Sequence, residues 1–126
     1  MTQVAALVFL VLATIAAIFQ VAVAAGAPWG GLTQGGRFAG TLPRPMRIVA
    51  LVSAVLLVAF AAIVAARASL INPPWVSVSR SLSWVVVAYC AVGVLANAAT
   101  PSRQERRLWL PIVVLMLASS AVVAMS

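Results

Sequence analysis

Four long stretches without a charged residue constrain this chain more than any other feature. Val4 to Ala25 carries only Thr14 and Gln20 as polar side chains, and Ile48 to Ala66 only Ser53. Leu82 to Ala98 is shorter and holds Ser83, Tyr89, Cys90 and Asn97, while Leu108 to Met125 has Ser119 and Ser120 within it. Roughly 20 apolar residues are needed to cross a hydrocarbon core of about 30 Å as a helix. Lipid offers no partner to open backbone groups, so such stretches must be helical. The pattern predicts an all-α, polytopic membrane protein. Residues 1–126 would form a single four-transmembrane-helix bundle, with spans near 4–25, 46–67, 82–98 and 108–125. Composition agrees, with 65% hydrophobic and 7% charged residues. A soluble domain is about half apolar and a quarter charged, so a soluble fold and a disordered chain are both excluded.

The connections fall where turn chemistry is dense. Gly26 to Pro45 reads GAPWGGLTQGGRFAGTLPRP. Arg67 to Ser81 contains Asn72-Pro73-Pro74-Trp75, where each proline disfavours helix before it. Ala99 to Arg107 contains Thr100-Pro101-Ser102 and a charged cluster. No internal repeat supports an inverted-repeat transporter. Ala22-Val23-Ala24 resembles a signal-peptidase site, but Met1-Thr2-Gln3 is not basic and the apolar run is too long for a signal core. The first span is expected to be retained.

Eight arginines stand against a single acid, Glu105, with no Lys, Asp or His, for a net charge of +7. Arg37, Arg44, Arg47, Arg103, Arg106 and Arg107 belong to the first and third connections, and only Arg67 and Arg80 to the second. Basic short loops favour the cytoplasm, so both termini are expected outside the plasma (inner) membrane. The six clustered arginines form a candidate rim for anionic lipid; nucleic acid is not expected as a partner. One cysteine, Cys90, excludes a disulfide framework or a thiolate metal site within one chain. Without His or Asp, familiar acid–base and metal-hydrolytic sites cannot be assembled, and neither a cofactor nor a metal is expected.

Several smaller patterns carry two readings each. Ser102 and Glu105 have the S-x-x-E spacing of a capping box, in which each side chain satisfies a free N–H at a helix start. Glu105 is thus read as a cap paired with flanking arginines, and otherwise as a chemical or ion-binding carboxylate. Pro111 should bend a short interfacial turn into the fourth span. Trp109 would anchor that turn at headgroup depth, as Trp29, Trp75 and Trp84 would at their own interfaces. The glycine-rich connection reads as a compact loop, or as a site where Arg37 and Arg44 hold a phosphate. It is not a P-loop, because no Gly-Lys-Ser/Thr follows. Gln20 and Asn97 share one depth, where amides bond between helices. They could instead line a polar pocket with Tyr89 and Glu105.

Small-residue pairs at Ala13/Ala17, Ala61/Ala65 and Ala62/Ala66 allow close helix approach, in the bundle or in a homo-oligomer or larger membrane complex. The Gly26-Ala27-Pro28-Trp29-Gly30-Gly31 loop and the Thr100-Pro101-Ser102…Glu105-Arg106…Trp109 segment resemble those of small four-span bacterial membrane proteins. That resemblance spans the chain and implies no activity. Arg- and Ala-rich, Lys-free composition is similar to that of actinobacterial proteins. Small multidrug antiporters need an acid in the first span and vitamin K epoxide reductases a cysteine pair, and both are lacking here. The leading expectation is a non-enzymatic accessory or scaffold subunit acting by helix packing. A lipid- or solute-binding pocket or channel comes second, and a membrane enzyme third.

Overall fold

The computed structural model describes residues 1–126 and consists of helices and turns. The helices are α1 (Thr2–Ala24), α2 (Arg44–Arg67), α3 (Ser79–Ala99) and α4 (Arg103–Ala124). At 1.5 Å per residue, even the 21 residues of α3 reach about 30 Å. All four are long and apolar enough to cross a bilayer, so this is a multi-pass membrane protein. Each helix packs against its sequence neighbour, and α4 closes the ring against α1. Thr2 and Ser126 meet through hydroxyls 2.7 Å apart, which puts both termini at one end. The first and third connections form the other end, with Arg37 in the first and the other five arginines in the opening turns of α2 and α4.

The helix boundaries follow local chemistry. After Ala24 the chain turns with Gly26 at φ +113°, while Gly26 N–H donates to Val23 and Ala27 N–H to Ala22. This is the paired C-terminal closure that glycine favours, because a Cβ resists positive φ. Arg44 opens α2 with Pro45 in its first turn, where no N–H is missed. Ser102 caps α4, accepting from Glu105 N–H at 3.2 Å. The fourth helix therefore starts at Arg103, five residues ahead of the expected span, and runs unbroken through Pro111. The charged cluster is the helical turn the S-x-x-E spacing predicts, continuous with the span, because the Ser102 cap nucleates it before the apolar run begins.

Inward-facing residues recur about every 3.5 positions, the spacing of a bundle seam. On α1 the seam reads Ala6, Phe9, Ala13, Ala16, Gln20, Val23. On α2 it reads Ala50, Ala54, Leu57, Ala61, Val64, with Phe60 beside it. On α3 it is Ser79, Ser83, Val86, Cys90, Gly93, Asn97. On α4 it is Glu105, Trp109, Ile112, Met116, Ser119, Val123. Serines on these seams bond carbonyls of their own helix, Ser83 with Arg80 and Ser119 with Met116. Their polar atoms are thereby satisfied, and their small volume lets the backbones approach. The alanine pairs also serve the bundle: Ala13, Ala65 and Ala66 are buried, and Ala17 and Ala61 pack against the core.

Candidate functional site

The first connection folds back over the bundle as a roof. Two 3-10 turns, Gly30–Leu32 and Gln34–Gly36, form it, and Gly30 N–H closes the loop onto the Gly40 carbonyl at 2.7 Å. Only glycine fits at position 30, because a Cβ would lie 1.8 Å from the Phe38 carbonyl oxygen. Three polar contacts tie the roof to the start of α4. The Trp109 indole donates to the Leu32 carbonyl at 2.9 Å, and the Ser102 hydroxyl donates to the Gly31 carbonyl at 3.0 Å. Gly35 N–H points at Glu105 Oε2 from 3.4 Å. At the base of the roof Arg47 joins α2 to α1, donating from Nε to the Ala24 carbonyl at the C-terminal end of α1, where a cation suits the helix dipole.

Glu105 is 8% exposed. Its Oε1 accepts a short hydrogen bond from the Thr100 hydroxyl. The capping box is therefore half-formed: Ser102 caps Glu105 N–H, but Ser102 N–H turns to the Thr100 hydroxyl at 3.3 Å. The expected arginine pairing is not made, since no guanidinium lies within 4.0 Å of the carboxylate. Arg106 instead donates from Nη2 to the Thr100 carbonyl at 3.2 Å, and its Nε is buried without a partner. The carboxylate turns inward because position 105 lies on the α4 seam, four residues before Trp109.

Beneath the roof lies a cavity of about 340 Å³ between the helices. Gln20, Tyr89, Asn97 and Glu105 all line it, with Trp109 and the roof residue Thr33 at the same end. Gln20, Asn97 and Glu105 converge because each occupies a seam position. Tyr89 stands beside the α3 seam and tilts against Phe60, ring centroids 4.8 Å apart, at the deep end. Asn97 donates from Nδ2 to the Gly93 carbonyl at 2.8 Å, leaving its oxygen for the cavity. The hollow itself traces to Gly93, a seam position with no side chain, where an added Cβ would meet nothing within 4 Å. Tyr89, Val92 and Ala96 line the cavity and are exposed, so its mouth opens between α2 and α3 on the lipid-facing side.

The remaining expected site residues are dispersed. Arg37, Arg44, Arg103 and Arg107 are exposed at the rim, whereas Arg47 and Arg106 are half-buried in the contacts above. Arg37 lies over the Phe38 ring at 5.8 Å. Trp29, Trp75 and Trp84 are exposed, and Trp29 stacks on Phe19 at 6.0 Å. Trp109 departs from the expected anchor role: it is buried, edge-on to Phe19 at 4.8 Å, because the Leu32 carbonyl draws its indole N–H inward. Sequence reasoning passed over Gly93, Thr33 and Thr100. A lone glycine inside an apolar helix, four residues before an asparagine, is a signal for the first. Thr33 carries none, since its role depends on where the roof lands, whereas Thr100 bonds Ser102 and Glu105 within its own stretch of chain. No three His, Cys, Asp or Glu side chains come together as a metal-ligand set. No protein-family model matches this chain, and no curated protein or solved structure matches it either.

Proposed function

We propose that this protein is a membrane-embedded binding protein for a small amphiphile, which enters the cavity from the lipid phase between α2 and α3. The observation that carries this reading is the convergence of Gln20, Tyr89, Asn97 and Glu105 on one cavity of about 340 Å³. That volume falls within the range of roughly 300–1,000 Å³ of small-molecule pockets and far exceeds the ~30 Å³ share of one water. Helix packing alone, the reading the sequence put first, has no use for a hollow seam lined by amides and a carboxylate. Polar groups at bilayer depth are expensive and mark ligand or ion sites by default.

The test uses Trp109 as the reporter, because it is the one tryptophan on the cavity wall. With Trp29, Trp75 and Trp84 replaced by Phe, 1-bromooctane should quench fluorescence saturably in nanodiscs. Gly93→Leu should remove the saturable component, because the new side chain enters open space. Quenching linear in bromooctane, identical in both proteins, would leave no pocket.

The proposal also assigns an orientation, with the roof and its arginines in the cytoplasm, both termini outside the plasma membrane and the rim against anionic lipid. Support comes from the six-to-two division of arginines and the exposure of Arg37, Arg44, Arg103 and Arg107. In a Cys90→Ala background, Ser77→Cys should label in intact cells and Ala39→Cys only after permeabilisation. The reverse pattern would invert the topology.

A further inference from the structure

We infer that the headgroup taken by this cavity is a cation, an ammonium or other protonated amine on a short apolar tail, with the Glu105 carboxylate as its counter-ion. This rests on reading the cavity as a binding pocket and goes on to specify the chemistry of its ligand.

The charge assignment comes from which charged side chains reach the cavity. The chain has eight arginines, and none lines the cavity. Guanidinium forks are the usual partners of phosphate and carboxylate, so a pocket for an anion would draw at least one inward. Arg106, next to Glu105 in sequence, spends its Nη2 on a backbone carbonyl instead. Three of the neutral donors along the wall are spent as well. The Trp109 indole is held by Leu32, the Asn97 amide by Gly93 and the Ser53 hydroxyl by Val49. Neutral donors remain on Gln20, Thr33 and Tyr89, but the one charged group on the wall is the Glu105 carboxylate, with the Asn97 oxygen free to accept beside it.

Two further features fit the same headgroup. Glu105 is 8% exposed and is bonded only by a hydroxyl and a long backbone N–H contact. A buried carboxylate held by neutral donors is under-compensated, and a ligand cation would offset that deficit. Trp109, one turn along α4 from Glu105, presents its ring at the same end of the hollow, and aromatic faces attract a desolvated cation. The mouth beside Tyr89 and Val92 admits the tail from lipid.

The probes are octylammonium, 1-octanol and octanoate, which share one tail and differ in headgroup charge. Binding is read from Trp109 fluorescence in zwitterionic phosphatidylcholine nanodiscs, so that leaflet charge does not concentrate the cation, with partitioning measured on empty discs. Octylammonium should bind at least about tenfold more tightly than octanol, a step of about 1.4 kcal/mol, and octanoate should bind weakest. Glu105→Gln should bring octylammonium to within about twofold of octanol, both measured in that same variant. Glu105→Asp, which keeps the charge, should retain the preference. Should Glu105→Gln fail to fold, the ranking in the unmutated protein still decides. Octanol or octanoate binding as tightly as octylammonium would overturn the charge assignment while leaving the pocket in place. Saturation by none of the three would overturn the pocket and this inference together.

Discussion

At the end of the bundle where the termini meet, the seams hold Ala6, Phe9, Val64, Val86 and Val123, each 0% exposed. Across the bundle, at the arginine-rich end, the seams also hold the buried Val23, Ala50 and Trp109, but they bring in Gln20, Gly93, Asn97 and Glu105 as well, and a cavity stands where the packing of these four would be. Both ends obey the same 3.5-residue spacing. They differ in what the spacing delivers to the interior: apolar and small side chains that interdigitate, or polar ones that need partners and leave space. Helices in lipid gain little from apolar burial as such, so dispersion and close approach hold the first end together. At the second, hydrogen bonds from the roof substitute for that packing. The bundle is clamped at one end and propped open at the other.

The widest separation between the two ends should appear in aromatic truncations. Phe9→Ala opens a void inside the packed end and should cost about 3 kcal/mol or more, by reversible unfolding in mixed micelles. Phe60→Ala, on the wall of a cavity that already exists, should cost clearly less. Equal losses would mean that the hollow end is as tightly packed as the other. Next in size is the roof latch. Glu105→Leu leaves the Thr100 hydroxyl and Gly35 N–H without their acceptor and should cost about 1–3 kcal/mol. Glu105→Gln keeps an acceptor and should cost well under half of that. If the glutamine variant is as damaged as the leucine one, the charge itself holds the roof.

The smallest effect has the opposite sign. Gly93→Ala places a methyl in open space within a helix and should stabilise by about 0.5–1 kcal/mol. Adding volume at the packed end, three carbons in Ala6→Leu, should destabilise by about 1–3 kcal/mol through overpacking. Destabilisation by Gly93→Ala would mean that the hollow is occupied or collapsed.

The four helices were legible from the uncharged runs Val4–Ala25, Ile48–Ala66, Leu82–Ala98 and Leu108–Met125, because a bilayer permits a long apolar run little except a helix. The end of α1 at Gly26 and the Ser102 cap were legible too, since both depend on neighbours within a few residues. Gln20 and Asn97 could be placed at one depth by counting along their spans. Tertiary structure alone decided the rest. Trp109 turned inward because a carbonyl at Leu32, 77 positions away, faces its indole. Glu105 found Gly35, 70 positions away, because the roof, a loop whose path no periodicity encodes, came down on it. Gly93 became a hollow only once three other helices stood around it. Local rules determine where a helix begins, ends and faces; which polar atoms meet in the interior depends on contacts between residues far apart in the chain, and only the folded bundle brings those together.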